Sequence, residues 1–218
     1  MLIAIAGGHG NIALRLTRVL QRRGDEVRSL IRKSEHAEDV RAAGGDPAVC
    51  DLESASEDEV AAAVRGADAV VFAAGAGPGS GPERKWTMDH GGAVKLIAAA
   101  KAEGIRRYVM VSSMGADPDA PGDDTFAVYQ RAKGQADADL VGSGLEYTIV
   151  RPGHLTDDAG TDGVTLGPKV DRGKVPRDDV AAVLAAVLSE PATAGLTFEL
   201  VSGDVPIDDA VAALVGGG

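Results

Sequence analysis

The sequence predicts an α/β fold, a doubly wound parallel sheet with helices on both faces. Three observations carry the prediction. Short apolar runs alternate with helix-length amphipathic segments along most of the 218 residues. Aromatic residues are 3% of a chain that is 44% hydrophobic, so the core must be built from Val, Leu, Ile and Ala, the composition of strands buried on both faces. The first apolar run also enters a glycine-rich turn, Gly7-Gly8-His9-Gly10-Asn11-Ile12-Ala13, directly before the first helical pattern.

The elements follow in order. Leu2–Ala6 is a continuous apolar run of strand length. Ile12, Leu16, Val19 and Leu20 then recur at helical spacing, with Arg15, Arg18, Arg22 and Arg23 elsewhere on the wheel, and Gly24 ends the helix. Glu26–Ile31 reads as a second strand. Ser34 is placed to cap a short helix that runs to about residue 43 before Gly44-Gly45 breaks it. Residues 48–50 read as a third strand, Val60 and Val64 mark a helix that stops at Gly66, and "ADAVVFAAG" is a fourth strand running into the loop "GAGPGSG". A long helix is expected over 91–103, a fifth strand in "RRYVMVSS", a helix over 123–141 and a sixth strand in "LEYTIVRPG" that Pro152 ends.

After residue 152 the rhythm changes. Residues 154–175 are polar and rich in Gly and Asp, and read as loop. "VPRDDVAAVLAAVLSEP" is an amphipathic helix with Val180, Val183, Leu184, Val187 and Leu188 on one face, "LTFELVSG" a strand and "IDDAVAALV" a last short helix. The expected organisation is one nucleotide-binding domain over 1–218, with 154–218 partly a small substrate-side extension and no second core.

The net charge of −11 disfavours nucleic acid and anionic membranes as partners. Cys50 has no disulfide partner within the chain, which fits a reducing compartment. No apolar run is long enough to span a membrane, and the N-terminal apolar stretch reads as a strand, not a leader. A cytoplasmic monomer or homodimer acting on a small-molecule substrate is the expectation. No metal is expected: His9, His36, His90 and His154 lack ligand spacing, and the stretch "TDDAGTDG" lacks the pattern of a calcium loop.

The glycine turn gains meaning from its place between a strand and a helix. Gly8-x-Gly10-x-x-Ala13 and Gly7-x-x-Gly10-x-x-Ala13 both fit a dinucleotide fingerprint. One glycine permits the turn, Gly10 lets backbone approach a pyrophosphate, and Ala13 packs the helix on the strand. The unpaired N–H groups of the helix start, Asn11 and Ile12 among them, attract the phosphates. Arg32, 22 residues after Gly10, ends the second strand with Lys33, where an NAD site carries an acid. An arginine there pairs with a 2′-phosphate, so NADP (NADPH) is expected in preference to NAD; the competing reading is a solvated basic pair. Asp51-Leu52 follows the third strand, where an acceptor meets the adenine amino group, although a turn aspartate fits equally. Ala73-Ala74-Gly75 follows the fourth, where small residues let a ribose lie on the backbone.

The chemical signal lies further along. The fifth strand ends in Ser112-Ser113, and the next helix carries Tyr129 and Lys133 at i, i+4 on one face. A lysine beside a tyrosine stabilises a phenolate, so the phenol can give up its proton near neutral pH, while a serine hydroxyl holds the substrate oxygen.

These residues together, with "RRYVMVSSMGAD", "YTIVRPGHLTDDAGT" and "VPRDDVAAVL", resemble the short-chain dehydrogenase/reductase superfamily, and more narrowly its atypical, extended-like NAD(P)H-binding branch, over nearly the whole chain. The resemblance implies a Rossmann fold with a small C-terminal substrate region. It implies Tyr129 as acid/base, Lys133 as the group that tunes it and contacts the ribose, and Ser113 as substrate orienter, with Ser112 second. It also places "RPG" with Pro152 along the nicotinamide, and Met114 and His154 near substrate. His9 departs from the branch, which often has Thr there. The expected function is NADP(H)-dependent hydride transfer to a small carbonyl or quinone-like substrate. Two alternatives stay open: a non-catalytic NADP-sensing regulatory protein, and a flavin or quinone reductase in which Tyr129 is not essential.

Overall fold

A computed structural model describes residues 1–77 and 79–216. Its centre is a nine-stranded sheet. The first half alternates as β1 (Leu2–Ala6), α1 (Asn11–Arg22), β2 (Glu26–Ile31), α2 (Ala37–Ala42), β3 (Asp46–Val49), α3 (Glu57–Val64) and β4 (Ala69–Phe72). A short helix α4 (Pro82–Arg84) runs through a π-helical stretch, Lys85–His90, into α5 (Gly91–Ala102). Then come β5 (Arg107–Val111), α6 (Thr125–Val141), β6 (Glu146–Pro152), β7 (His154–Thr156), β8 (Gly163–Gly167), β9 (Lys174–Pro176), α7 (Arg177–Ser189), β10 (Leu196–Ser202), β11 (Val205–Pro206) and α8 (Ile207–Gly216).

The spatial order is β11-β8-β10-β6-β5-β4-β1-β2-β3. From β3 to β10 every pairing is parallel, and β8 then runs antiparallel to β10. The sheet is the doubly wound Rossmann arrangement. Because β1 lies between β2 and β4, the winding reverses there, and the carboxyl ends of β1 and β4 open the crevice in which such folds bind ligands.

The alternating side chains of each strand feed two cores. Ile3, Ile5, Val71, Val109 and Val150 face α1, α7 and α8, while Ala4, Ala6, Val70, Phe72, Tyr108 and Met110 face α3, α5 and α6. Leu16 and Leu20 of α1 are fully buried, each worth about 1.5–3 kcal/mol relative to exposure. Among the described residues no helix is long and apolar enough to cross a membrane.

Several local expectations shift. The third strand begins at Asp46 and ends at Val49, and Ser34 opens a 3-10 turn ahead of α2 without capping it through its side chain. α6 starts at Thr125, not at residue 123, and Asp124 caps it, accepting from the Ala127 N–H at 2.8 Å. The stretch 154–175 is not wholly loop. β7 and β9 pair as a separate two-stranded parallel sheet, and β8 joins the main sheet. Tertiary pairing with β10 and between β7 and β9 overrides a polar, Gly-rich composition that has little strand propensity of its own. Residues 85–90 are helical where the sequence suggested a loop before residue 91.

Candidate functional site

The fingerprint glycines fix the turn between β1 and α1. Gly7 has φ +77°, and a Cβ on it would stand 2.6 Å from the Ala74 Cα. A Cβ on Gly8 would stand 2.4 Å from the Ser29 Cβ, so the packing of the turn requires glycine at both positions. The Gly8 N–H donates to the Leu30 carbonyl and the Gly10 N–H to the Gly7 carbonyl. α1 then starts with Gly10 at its cap, no capping side chain and no acid in its first turn. Its first N–H groups and the positive end of the helix dipole are left for an anion, the arrangement that suits a pyrophosphate.

On one side of this turn lies a cavity of about 250 Å³ between the ends of β1, β2 and β4, lined by Gly7, Gly10, Arg32, His36, Ala74 and Arg84 among others. Arg32 is exposed and makes no ion pair among the described residues. Arg84 is held by Glu53, whose carboxylate accepts from Nη2 at 2.8 Å and from the Thr87 hydroxyl at 2.8 Å. The Arg84 guanidinium bond holds the Glu53 carboxyl below its ordinary range. His9 and His36 stack with ring centroids 3.9 Å apart and 5° from parallel. His9 Nε2 meets Asp39 at 2.7 Å, while His36 Nδ1 is buried without a partner among the described residues. Burial, reinforced by His9, holds the His36 imidazole below its ordinary pKa.

On the other side lies a larger cavity of about 510 Å³, lined by Ile12, Ala73, Gly75, Ser112, Tyr129 and Lys133 among others. Tyr129 is half-buried and also lines a third cavity of about 470 Å³, with Ser112, Ser113, Met114, Pro152 and His154. Tyr129 therefore stands on the wall that the two cavities share. Lys133 is buried, donates from Nζ to the Val111 carbonyl at 3.0 Å and lies 3.7 Å from the buried Asp89 carboxylate. Lys85, buried in the π-helical stretch, donates to the Gly77 carbonyl at 3.0 Å and sits 5.4 Å from the Tyr129 ring centroid.

The two serines differ. The buried Ser112 donates from Oγ to Asp137 Oδ2 at 2.9 Å, and Arg151 donates to the same oxygen from Nε at 2.9 Å. Burial pushes the Asp137 carboxyl up, against the pull of Arg151, Ser112 and Lys133. Ser113 is half-buried and makes only a long 3.4 Å contact to the Met114 carbonyl, which leaves its hydroxyl available to the cavity it lines.

The remaining sequence-predicted residues fall on both sides of the boundary. Asn11 sits exposed at the start of α1, with its carbonyl taken by Arg15. Lys33 does not line these cavities: its Nζ pairs with Glu35 at 3.0 Å. The Asp51 carboxylate accepts from the Glu53 N–H at 3.1 Å, which is the turn role, and Leu52 is buried in the core with its carbonyl taken by Lys95. Sequence reasoning missed Lys85, Asp89, Arg84, His36 and Asp137. Of these, Asp137 carried a readable signal, because Tyr129, Lys133 and Asp137 stand at i, i+4, i+8 on one face of α6. Among the described residues no cluster of His, Cys, Asp and Glu is arranged to hold a metal ion.

A family model described as NAD(P)H-binding matches residues 7–191. An uncharacterized sugar epimerase, YhfK, of Bacillus subtilis (strain 168) is 38% identical over 98% of this chain and 100% of its own length. A solved structure from Bacillus halodurans, provisionally named an NAD-dependent epimerase/dehydratase, is also 38% identical, with a TM-score of 0.91 over 98% of this chain and 100% of that one. The structure of the oxidoreductase ylbE from Lactococcus lactis is 25% identical, with a TM-score of 0.86 over 99% of this chain and 97% of its own.

Proposed function

The chain belongs to the NAD(P)H-binding family, and from that premise we propose that it is an NADPH-dependent reductase of a small carbonyl or quinone-like substrate. The observation that carries the reading is the position of Tyr129 on the wall between the cavity beside the glycine turn and the cavity beyond it. A proton donor there reaches both a nicotinamide ring and a substrate oxygen.

The cofactor supplies a hydride when bound. The chain's own residues do the rest. The start of α1 holds the pyrophosphate, and Ala73, Ala74 and Gly75 leave room for the sugar. Arg32 meets the 2′-phosphate, which selects NADPH over NADH. Lys133, fixed by the Val111 carbonyl and Asp89, would contact the nicotinamide ribose and supply positive charge to the site. Ser113 donates to the substrate oxygen, and Pro152 bounds the pocket. With hydride supplied to the carbonyl carbon and the C=O π pair taken up by the oxygen, the Tyr129 O–H would break and give its proton to that oxygen, completing the hydroxyl. The phenolate left behind is stabilised by Lys133 and Lys85 until water reprotonates it.

The test is NADPH and NADH oxidation against a panel of carbonyls, quinones and flavins. The reading expects NADPH consumed in step with substrate, and NADH used poorly. An epimerase leaves no net change in cofactor, and a sensor binds NADPH tightly while oxidising none with any member of the panel; either result overturns the proposal.

A further inference from the structure

The substrate-side cavity is cationic in a chain whose net charge is −11. Besides Ser113 and Tyr129 it is lined by His154, Arg172 and Arg177, and among the described residues no Asp or Glu lines it. The small β7–β9 sheet builds this wall. His154 opens β7, and its N–H donates to the Gly173 carbonyl at 2.9 Å, which ties the Arg172 loop to the strand. Arg177 follows β9 directly as the first residue of α7.

The two guanidinium groups differ in how far they are engaged within the chain. Arg172 is exposed and makes no ion pair or hydrogen bond among the described residues. Arg177 pairs through Nη1 with Asp157 at 3.0 Å, but that carboxylate is 64% exposed and is shared with Arg15. The cavity also has apolar lining: Met114, Pro152 and Leu155 contribute to it, and Phe126, 59% exposed, stands with its ring 6.2 Å from that of Tyr129. Apolar side chains and two guanidinium groups in one cavity suit a planar apolar body ending in a carboxylate, which a guanidinium fork grips in two-point fashion.

We infer that the substrate-side cavity is an anion subsite and that the carbonyl compound it takes carries a carboxylate, held by Arg172 and Arg177 while its carbonyl faces Tyr129. The inference rests on the reductase reading for the identity of the reacting group, but the anion subsite is open to test without turnover.

The experiment uses the full chain saturated with NADP⁺ and follows 4-fluorophenylglyoxylate and its methyl ester by ¹⁹F NMR titration. The expected result is that the acid binds at least about tenfold more tightly than the ester, the scale of one charge-assisted contact. Arg172→Gln removes most of that preference, Arg172→Lys keeps part of it, and Arg177→Gln weakens the acid without affecting the ester. Arg172 is exposed, so its variants keep the fold. Equal affinity for acid and ester, binding of neither, or a preference that survives both glutamine variants overturns the anion subsite. Failure of NADP⁺ to bind overturns the cofactor reading instead. A preference for the acid in a protein that oxidises no NADPH leaves the subsite standing and overturns the hydride-transfer reading.

Discussion

The Ser112 hydroxyl donates to the buried Asp137 carboxylate at 2.9 Å, and this bond separates two neighbouring serines into different roles. Ser112 satisfies a carboxylate whose other oxygen, Oδ1, already lacks a partner among the described residues. Ser112→Ala therefore leaves a buried carboxylate with one donor fewer and costs about 1–3 kcal/mol of stability. Ser113→Ala removes only a long contact and leaves the melting temperature unchanged, while lowering turnover roughly ten- to a hundredfold. Thermal denaturation and NADPH-coupled turnover of the two variants check the division. A Ser112 variant of normal stability and lost activity reverses it.

On the proposed function, Arg32 selects between the two cofactors. Arg32→Ala is expected to raise the dissociation constant for NADPH by roughly ten- to a hundredfold, the scale of a lost charge-assisted bond, and to leave that for NADH unchanged. Fluorescence titration with the two cofactors measures the ratio. Parallel losses for both would assign Arg32 to adenine stacking instead of the 2′-phosphate.

Lys85 touches the tyrosine from a direction the sequence did not suggest, its Nζ 5.4 Å from the Tyr129 ring centroid. Lys85→Met keeps the buried stem and removes the charge. Turnover should fall about tenfold, in line with a desolvated cation–π contact, with the NADPH dissociation constant unchanged. Unaltered turnover would make Lys85 a support of the Gly77 loop alone.

The Glu53–Arg84 pair ties the turn after β3 to α4 beside the smaller cavity. Because Arg84 lowers the Glu53 carboxyl in the folded state, the pair's stabilisation is present above the unfolded carboxylate value and is lost as pH falls through the lower folded one. After screening it is worth about 1 kcal/mol. The melting temperature of Glu53→Gln should lie below that of the parent at pH 7; the gap should begin to close near about pH 4, where free carboxylates protonate, and vanish below the lower folded value. A gap that persists in acid would assign the effect to packing.

Much of this molecule was legible because its signals are local. The alternation of strand and helix, the Gly7–Ala13 turn and the Tyr129–Lys133 spacing each depend on a few consecutive residues. The signals that escaped reading depend on partners distant in sequence. Lys85 and Asp89 look like a solvated surface pair, yet the π-helical turn buries both against α6. Asp51 reads equally as an adenine acceptor or a turn aspartate, and the contact its carboxylate makes within the chain is to the Glu53 N–H of the turn. β8 is written in Gly, Thr and single apolar residues, too weak a pattern until β10 stands beside it. Arg172 and Arg177 were unremarked because the β7–β9 pairing that brings His154 to them joins segments with no common periodicity.

On the proposed function Tyr129 gives its proton to the substrate oxygen, and Tyr129→Phe keeps the ring and loses only that hydroxyl. With a substrate found in the panel, turnover should fall by roughly a hundredfold or more while the NADPH dissociation constant stays within about twofold of the parent. Turnover that survives Tyr129→Phe would rule out this proton transfer.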